Sequence, residues 1–157
     1  MDKENSKQII LKENTDKELY LSDFLPFENY LITVGKNSNL KVRFAALENL
    51  ESKKIKIIAK ENSSIDFVMA DFSNSSFDFN LLVKLEGNGS NAEFRLSSLS
   101  KNDDIKKFDI SFIHEGLHST SLMENYGVGT DSSKITFKGV SHILNIRVET
   151  IPTMYGQ

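Results

Sequence analysis

Apolar residues at every second position, in one run after another, restrict the folds open to this chain more than any other feature. In FDFNLLVKL, Phe77, Phe79, Leu81, Val83 and Leu85 share one face while Asp78, Asn80 and Lys84 take the other, which is the period of a half-buried strand. Ala92, Phe94 and Leu96 alternate in the same way with Asn91, Glu93 and Arg95, and Phe108, Ile110 and Phe112 with Lys107, Asp109 and Ser111. Leu144, Ile146 and Val148 alternate with Asn145, Arg147 and Glu149, and shorter copies sit at Val42 and Phe44, at Ile55 and Ile57, and at Ile65, Phe67 and Met69. Between the runs lie GKNSN, LESKK, KENSS, SNSS, EGNGSN, SKNDD and GTDSSK, whose Asn, Ser, Gly and Asp residues favour tight turns. These turns recur about every 10 to 18 residues with no helical pattern between them, leaving an all-β sandwich, barrel or solenoid rather than an α/β fold. Alternation alone does not choose among the three.

A chain of 157 residues makes about one domain. Residues 1–25 read as an irregular segment, either a pair of short strands or a loose helix, followed by a β domain over 26–150 and a tail over 151–157. Pro152 in that tail cannot donate to a strand ladder. The absence of cysteine excludes disulfides and thiolate ligands. With 19 basic and 22 acidic residues and a net charge of −3, the chain has no broad positive field for a phosphate backbone, so no nucleic-acid partner is expected. MDKENSKQII is charged and leads into no apolar stretch, and no run approaches the roughly 18 apolar residues of a membrane span. A soluble, cytoplasmic chain with no membrane partner is the expectation.

The histidines are the first candidates for chemistry. His114 continues the phase of Phe108, Ile110 and Phe112, so it should point inward and bond a backbone carbonyl or Ser121. An unpaired imidazole there would cost about 1–3 kcal/mol. His142 shares the phase of Leu144, Ile146 and Val148 and is expected inside for the same reason. His114 and His118 have the H-x3-H spacing, but four residues of strand span about 13 Å, whereas two zinc ligands lie within about 4 Å of each other. Only a sharp turn at Glu115 and Gly116 would bring them together, and no metal site is expected. Ser119 and Ser121 stand near histidines without a G-x-S-x-G elbow or a marked acidic partner, so no catalytic residue is assigned. GVGT at 127–130 lacks the ending of a phosphate loop and reads as a glycine turn.

In SFIHEGLHSTSLMENYGVGTDSSKITFKG, the residues His114, Ser121, Gly127, Val128, Phe137 and Gly139 give the spacing H-x6-S-x5-G-V-x8-F-x-G. This run resembles the core of the SufB/SufD family, the β-helical subunits of the sulfur-mobilisation machinery that builds iron–sulfur clusters. The likeness is good over about residues 76–148 and extends as generic coil repeats back to about residue 29. Leu117 replaces the family proline, and Tyr126 stands where lysine is frequent.

The resemblance implies a right-handed parallel β-helix of a few coils and a non-catalytic scaffold role in cluster assembly. It implies a homodimer through the C-terminal strands, with His142, Leu144, Asn145, Ile146, Arg147 and Val148 as the edge, or pairing with a SufB/SufD-like subunit. The family's H-G-A-T-like segment, with its cluster-associated Cys or His, and the helical region that docks the SufC ATPase find no counterpart in this chain. A SufC-like partner is therefore not expected, and a cluster is expected only in a larger complex, with no cofactor in the isolated chain. Two other functional classes remain open. A polysaccharide-acting β-helix enzyme would show carboxylates clustered in one strand register, and none is found; a general β-solenoid interaction module would show only stacked strands.

Overall fold

The computed structural model describes residues 5–144. In chain order its strands are β1 (Ser6–Leu11), β2 (Asp16–Tyr20), β3 (Asn29–Val34), β4 (Asn39–Ala46), β5 (Lys53–Ala59) and β6 (Ser64–Asp71), then β7 (Phe77–Leu85), β8 (Asn91–Ser100), β9 (Ile105–His114), β10 (Thr120–Gly129) and β11 (Lys134–Ile143). Odd strands stack in the order β1-β3-β5-β7-β9-β11 in one sheet and even strands as β10-β8-β6-β4-β2 in the other, and every pairing is parallel. The chain thus crosses from one sheet to the other and back, forming a parallel β-helix of about five turns, the fold the family resemblance implies. No described helix is long and apolar enough to cross a membrane.

The turn segments sort into two corners. GKNSN, KENSS and EGNGSN lie at the corner leading from odd to even strands. There Asn14, Asn37, Asn62, Gly89 and His118 take left-handed backbone angles, with φ between 53° and 70°, a conformation open to Asn, Gly and, less often, His. The residue following four of these is a buried serine: Ser38, Ser63, Ser90 and Ser119. Each hydroxyl donates to a turn carbonyl, as Ser63 Oγ does to Lys60 O at 2.6 Å and Ser90 Oγ to Gly87 O at 2.7 Å. LESKK, SNSS, SKNDD and GTDSSK form the opposite corner, whose length varies.

Asp16, Asn39, Ser64, Asn91 and Thr120 stand in one column, so successive turns advance by 23, 25, 27 and 29 residues. The strands lengthen in step, from 6 residues in β1 to 10 in β11. The solenoid therefore widens toward its C-terminal end.

Inward residues fill the space between the sheets with aromatic columns. Phe67 and Phe94 stack on one side, while Phe79, Phe108 and Phe137 stack on the other, with 5.5 Å between the Phe108 and Phe137 rings. Among these apolar layers lies a buried polar cluster. Lys106, fully buried, donates from Nζ to Asp71 Oδ2, Ser73 O and Leu99 O, each at 2.8 Å. Asp71 also accepts from Ser98 Oγ at 2.8 Å and from Ser73 Oγ at 2.6 Å.

One expectation is narrowed and one revised. Of the two readings of residues 1–25, the structure has the pair of short strands, with β1 and β2 pairing with β3 and β4 to make the first turn. Their polar sequence reflects an end position, with Lys7, Asp16, Lys17 and Glu18 exposed. His142 does not point inward. The last described strand runs Lys134–Ile143, its inward residues are the odd ones, and both His142 and Leu144 are exposed. Asn145, Ile146, Arg147, Val148 and the segment 151–157 lie outside the described residues.

Candidate functional site

The six residues of the H-x6-S-x5-G-V-x8-F-x-G run converge on the last described turn of the solenoid. His114 ends β9 facing inward and is 3% exposed. The chain then turns sharply at Glu115–Ser119, which brings two hydroxyls to the imidazole: Ser119 Oγ lies 2.8 Å from Nδ1 and Ser121 Oγ 2.9 Å from Nε2. Ser119 donates its own proton to Gly116 O at 3.0 Å, so it accepts from Nδ1–H, leaving Nε2 to accept from Ser121. Both ring nitrogens are thus committed. His118, although brought round by the same turn, is exposed and serves as the left-handed corner residue. The two histidines do not form a ligand pair.

The remaining motif residues close the turn by size matching across the two sheets. A side chain at Gly127 would place its Cβ 2.8 Å from the Phe137 ring, and one at Gly139 would lie 2.6 Å from Met123 Sδ. Phe137 thus fills the space that Gly127 leaves, and Met123 the space that Gly139 leaves. Val128 is different, since it faces outward and is 44% exposed. Gly127→Ala should destabilise the protein by about 1–3 kcal/mol, because the aromatic ring cannot yield without leaving its stack. Gly139→Ala should do less, since a flexible Met side chain yields easily. Equal urea midpoints for the two variants would contradict this ordering.

Burial pushes the His114 imidazole below the usual histidine range, against a smaller opposing pull from Ser119. The unfolded chain, near its ordinary value of about 6.5, therefore takes up a proton that the folded imidazole resists. Stability from this group is complete above about pH 6.5 and declines as pH falls below it toward the depressed folded value. Denaturant midpoints measured from about pH 7.5 down to about pH 5.5 should fall for the natural chain and flatten in His114→Phe. The same slope in both proteins would rule out His114 as the source.

The outer face of the even sheet corrects one expectation. Glu18, Asp66 and Glu93 do share one register column, with Lys41 between the first two. They line an open groove of about 600 Å³. Arg43 holds Asp66 at 2.8 Å, and Arg95 holds Glu93 at 3.1 Å and Glu124 at 3.4 Å. Asp66 and Glu93 remain more than a third exposed, and each is held by an arginine.

Fold and corner together define a parallel β-solenoid protein whose first turn is dressed in charge. The family model described as the SufBD core domain of the SUF system for FeS cluster assembly matches residues 4–146. The chain belongs to that family, which ties it to iron–sulfur cluster assembly. No curated protein and no solved structure matches it. Its donors do not fit a cluster held by this chain alone: there is no cysteine, both nitrogens of His114 are committed, and the described residues contain no group of three or more candidate ligands.

Sequence phase found His114 and its Ser121 partner. It missed Ser119, the matched pairs of Gly127 with Phe137 and Gly139 with Met123, and the carboxylate column, all of which depend on register between strands far apart in the chain.

Proposed function

We propose that the chain is a non-catalytic scaffold in iron–sulfur cluster assembly, and that its C-terminal turn joins a second copy or a SufB/SufD-like subunit. The observation that carries the proposal is the state of that turn. Most of the side chains of β10 and β11 are exposed or only partly buried. Lys134 N–H bonds Asp104 O and Leu144 N–H bonds His114 O, so even-numbered residues turn their backbone toward β9. Odd-numbered ones, from Ile135 to Ile143, turn theirs away from it. Within the described residues no strand lies beyond β11 or β10. An open edge of this kind is a template for pairing. A two-fold arrangement, with β11 meeting its mate, would satisfy both copies at once.

Sedimentation equilibrium should show a dimer for the unmodified chain. Ser141→Pro removes an N–H directed at the open edge while keeping the bonds to β9, and should give a folded monomer. A concentration-independent monomer for the natural chain would overturn the dimer. The cluster enters as cargo that needs a partner's donors, so anaerobic reconstitution of the isolated chain should yield no stable cluster. Stoichiometric iron and sulfide on that chain would overturn this part of the proposal.

A further inference from the structure

The outer face of the odd sheet carries an apolar zigzag, with polar residues in the alternate places of the same two columns. Register places one half-buried or exposed aliphatic side chain on every strand: Ile10, Leu31, Ile58, Leu82, Ile113 and Val140. They alternate between two adjacent outward columns, making a zigzag about one side chain wide that runs the length of the solenoid. Six strands at about 4.8 Å spacing give it a length of about 24 Å.

Lysines accompany the band along one side. Lys54 and Lys138 occupy the next outward column, Lys107 the one beyond, and Lys56 lies within the band. All four are exposed, and none has a carboxylate within 4.0 Å among the described residues. Glu28, Asp78 and Asp109 are acids on this flank, Asp78 next to Lys107 and Asp109 next to Lys138 in register. The even sheet is arranged differently, because its outward Arg43 and Arg95 are tied to Asp66, Glu93 and Glu124. In a chain of net charge −3, this face thus sets four lysines against three acids, a small positive excess beside the apolar zigzag. A shallow groove of about 660 Å³, lined in part by Lys54, Lys56, Leu82 and Asp109, runs between the lysines and the aliphatic residues.

We propose that this face docks an amphipathic helix of a partner protein, about 16 residues long, with an apolar stripe and acidic residues along one flank. The length follows from the band at 1.5 Å rise per residue, the narrow stripe from its width, and the acidic flank from the lysines. A membrane surface fits less well, since half-buried aliphatic side chains offer little to insert. The inference is independent of the open C-terminal turn, which lies at the end of the stack and not on its side.

The test uses labelled synthetic helical peptides of about 18 residues with leucines on one face and either glutamates or lysines on the flank. Fluorescence anisotropy with the full chain should show the acidic peptide binding at least about tenfold more tightly than the basic one. The triple variant Lys54→Glu, Lys107→Glu, Lys138→Glu should reverse that preference, and Ile58→Asp with Leu82→Asp should abolish binding. All the substituted side chains point outward, and melting curves matching the natural chain would confirm that the variants fold. No binding of the acidic peptide, equal binding of both peptides, or a preference for phosphatidylserine vesicles would each overturn the proposal. Self-association lost on charge reversal of the three lysines would overturn it too, by assigning the face to the acidic sheet of a second copy.

Discussion

Lys106→Ala is expected to remove about 3–5 kcal/mol of stability, a large share of the roughly 5–15 kcal/mol available to a domain. The reason is what it leaves behind. Asp71 is fully buried, and without the ammonium its charge would rest on Ser98 and Ser73 alone. Two carbonyls, Ser73 O and Leu99 O, would also lose their donor. Removing both charges should be far milder, because a well-packed apolar pair incurs no penalty for desolvating ions. Lys106→Met combined with Asp71→Leu should therefore recover most of the loss, although Ser98 still needs a partner. Urea denaturation of the single and double variants measures the coupling, and additive losses would show that the pair is not the unit described here.

The second large effect is expected at Gly87. A Cβ there would lie 2.0 Å from Glu61 N and 2.2 Å from Lys60 C, and at the next turn a Cβ on Gly116 would lie 2.1 Å from Gly87 O. All of these neighbours are backbone, so no side chain can swing aside, and adjacent turns would have to separate. Gly87→Ala should destabilise by about 3 kcal/mol or more. Gly89→Ala makes a useful comparison. Its φ of +70° is strained for alanine, but the close neighbour is the side chain of Asn62, which can move. A loss of about 1–2 kcal/mol is expected there. A Gly87→Ala midpoint no lower than that of Gly89→Ala would refute the backbone-contact account.

How much of this was legible in the sequence depends on the distance over which each feature is set. Strand phase is local, so Phe77 to Leu85 and Phe108 to His114 were readable, as was the inward place of His114. The choice of a solenoid came from the family resemblance, since alternation looks the same in a sandwich. Register is not local. Successive turns differ by two residues, from 23 to 29, so no fixed repeat length announces which residues stack. The column of Glu18, Asp66 and Glu93 was hidden for that reason, and so was the apolar zigzag on the odd sheet. Asp71 and Lys106 could have been found, because Asp71 continues the phase of Ile65, Phe67 and Met69 while Lys106 shares that of Phe108. Their charges argued against burial, and only the meeting of the two removes that objection. At the last described strand an outward His142 went unrecognised because, among the described residues, no further strand covers the edge to enforce a clean alternation.

The widening of successive turns bears on how such a molecule can polymerise. A solenoid of constant cross-section could add copies head to tail without end, each top fitting the next bottom. Here the last two described strands have 10 residues each and the first two have 6 and 5, so a top offers nearly twice the ladder that a bottom can match. Wide ends are congruent only with wide ends. Head-to-tail addition is mismatched at every joint, which makes the tapered shape itself a safeguard against fibres built that way.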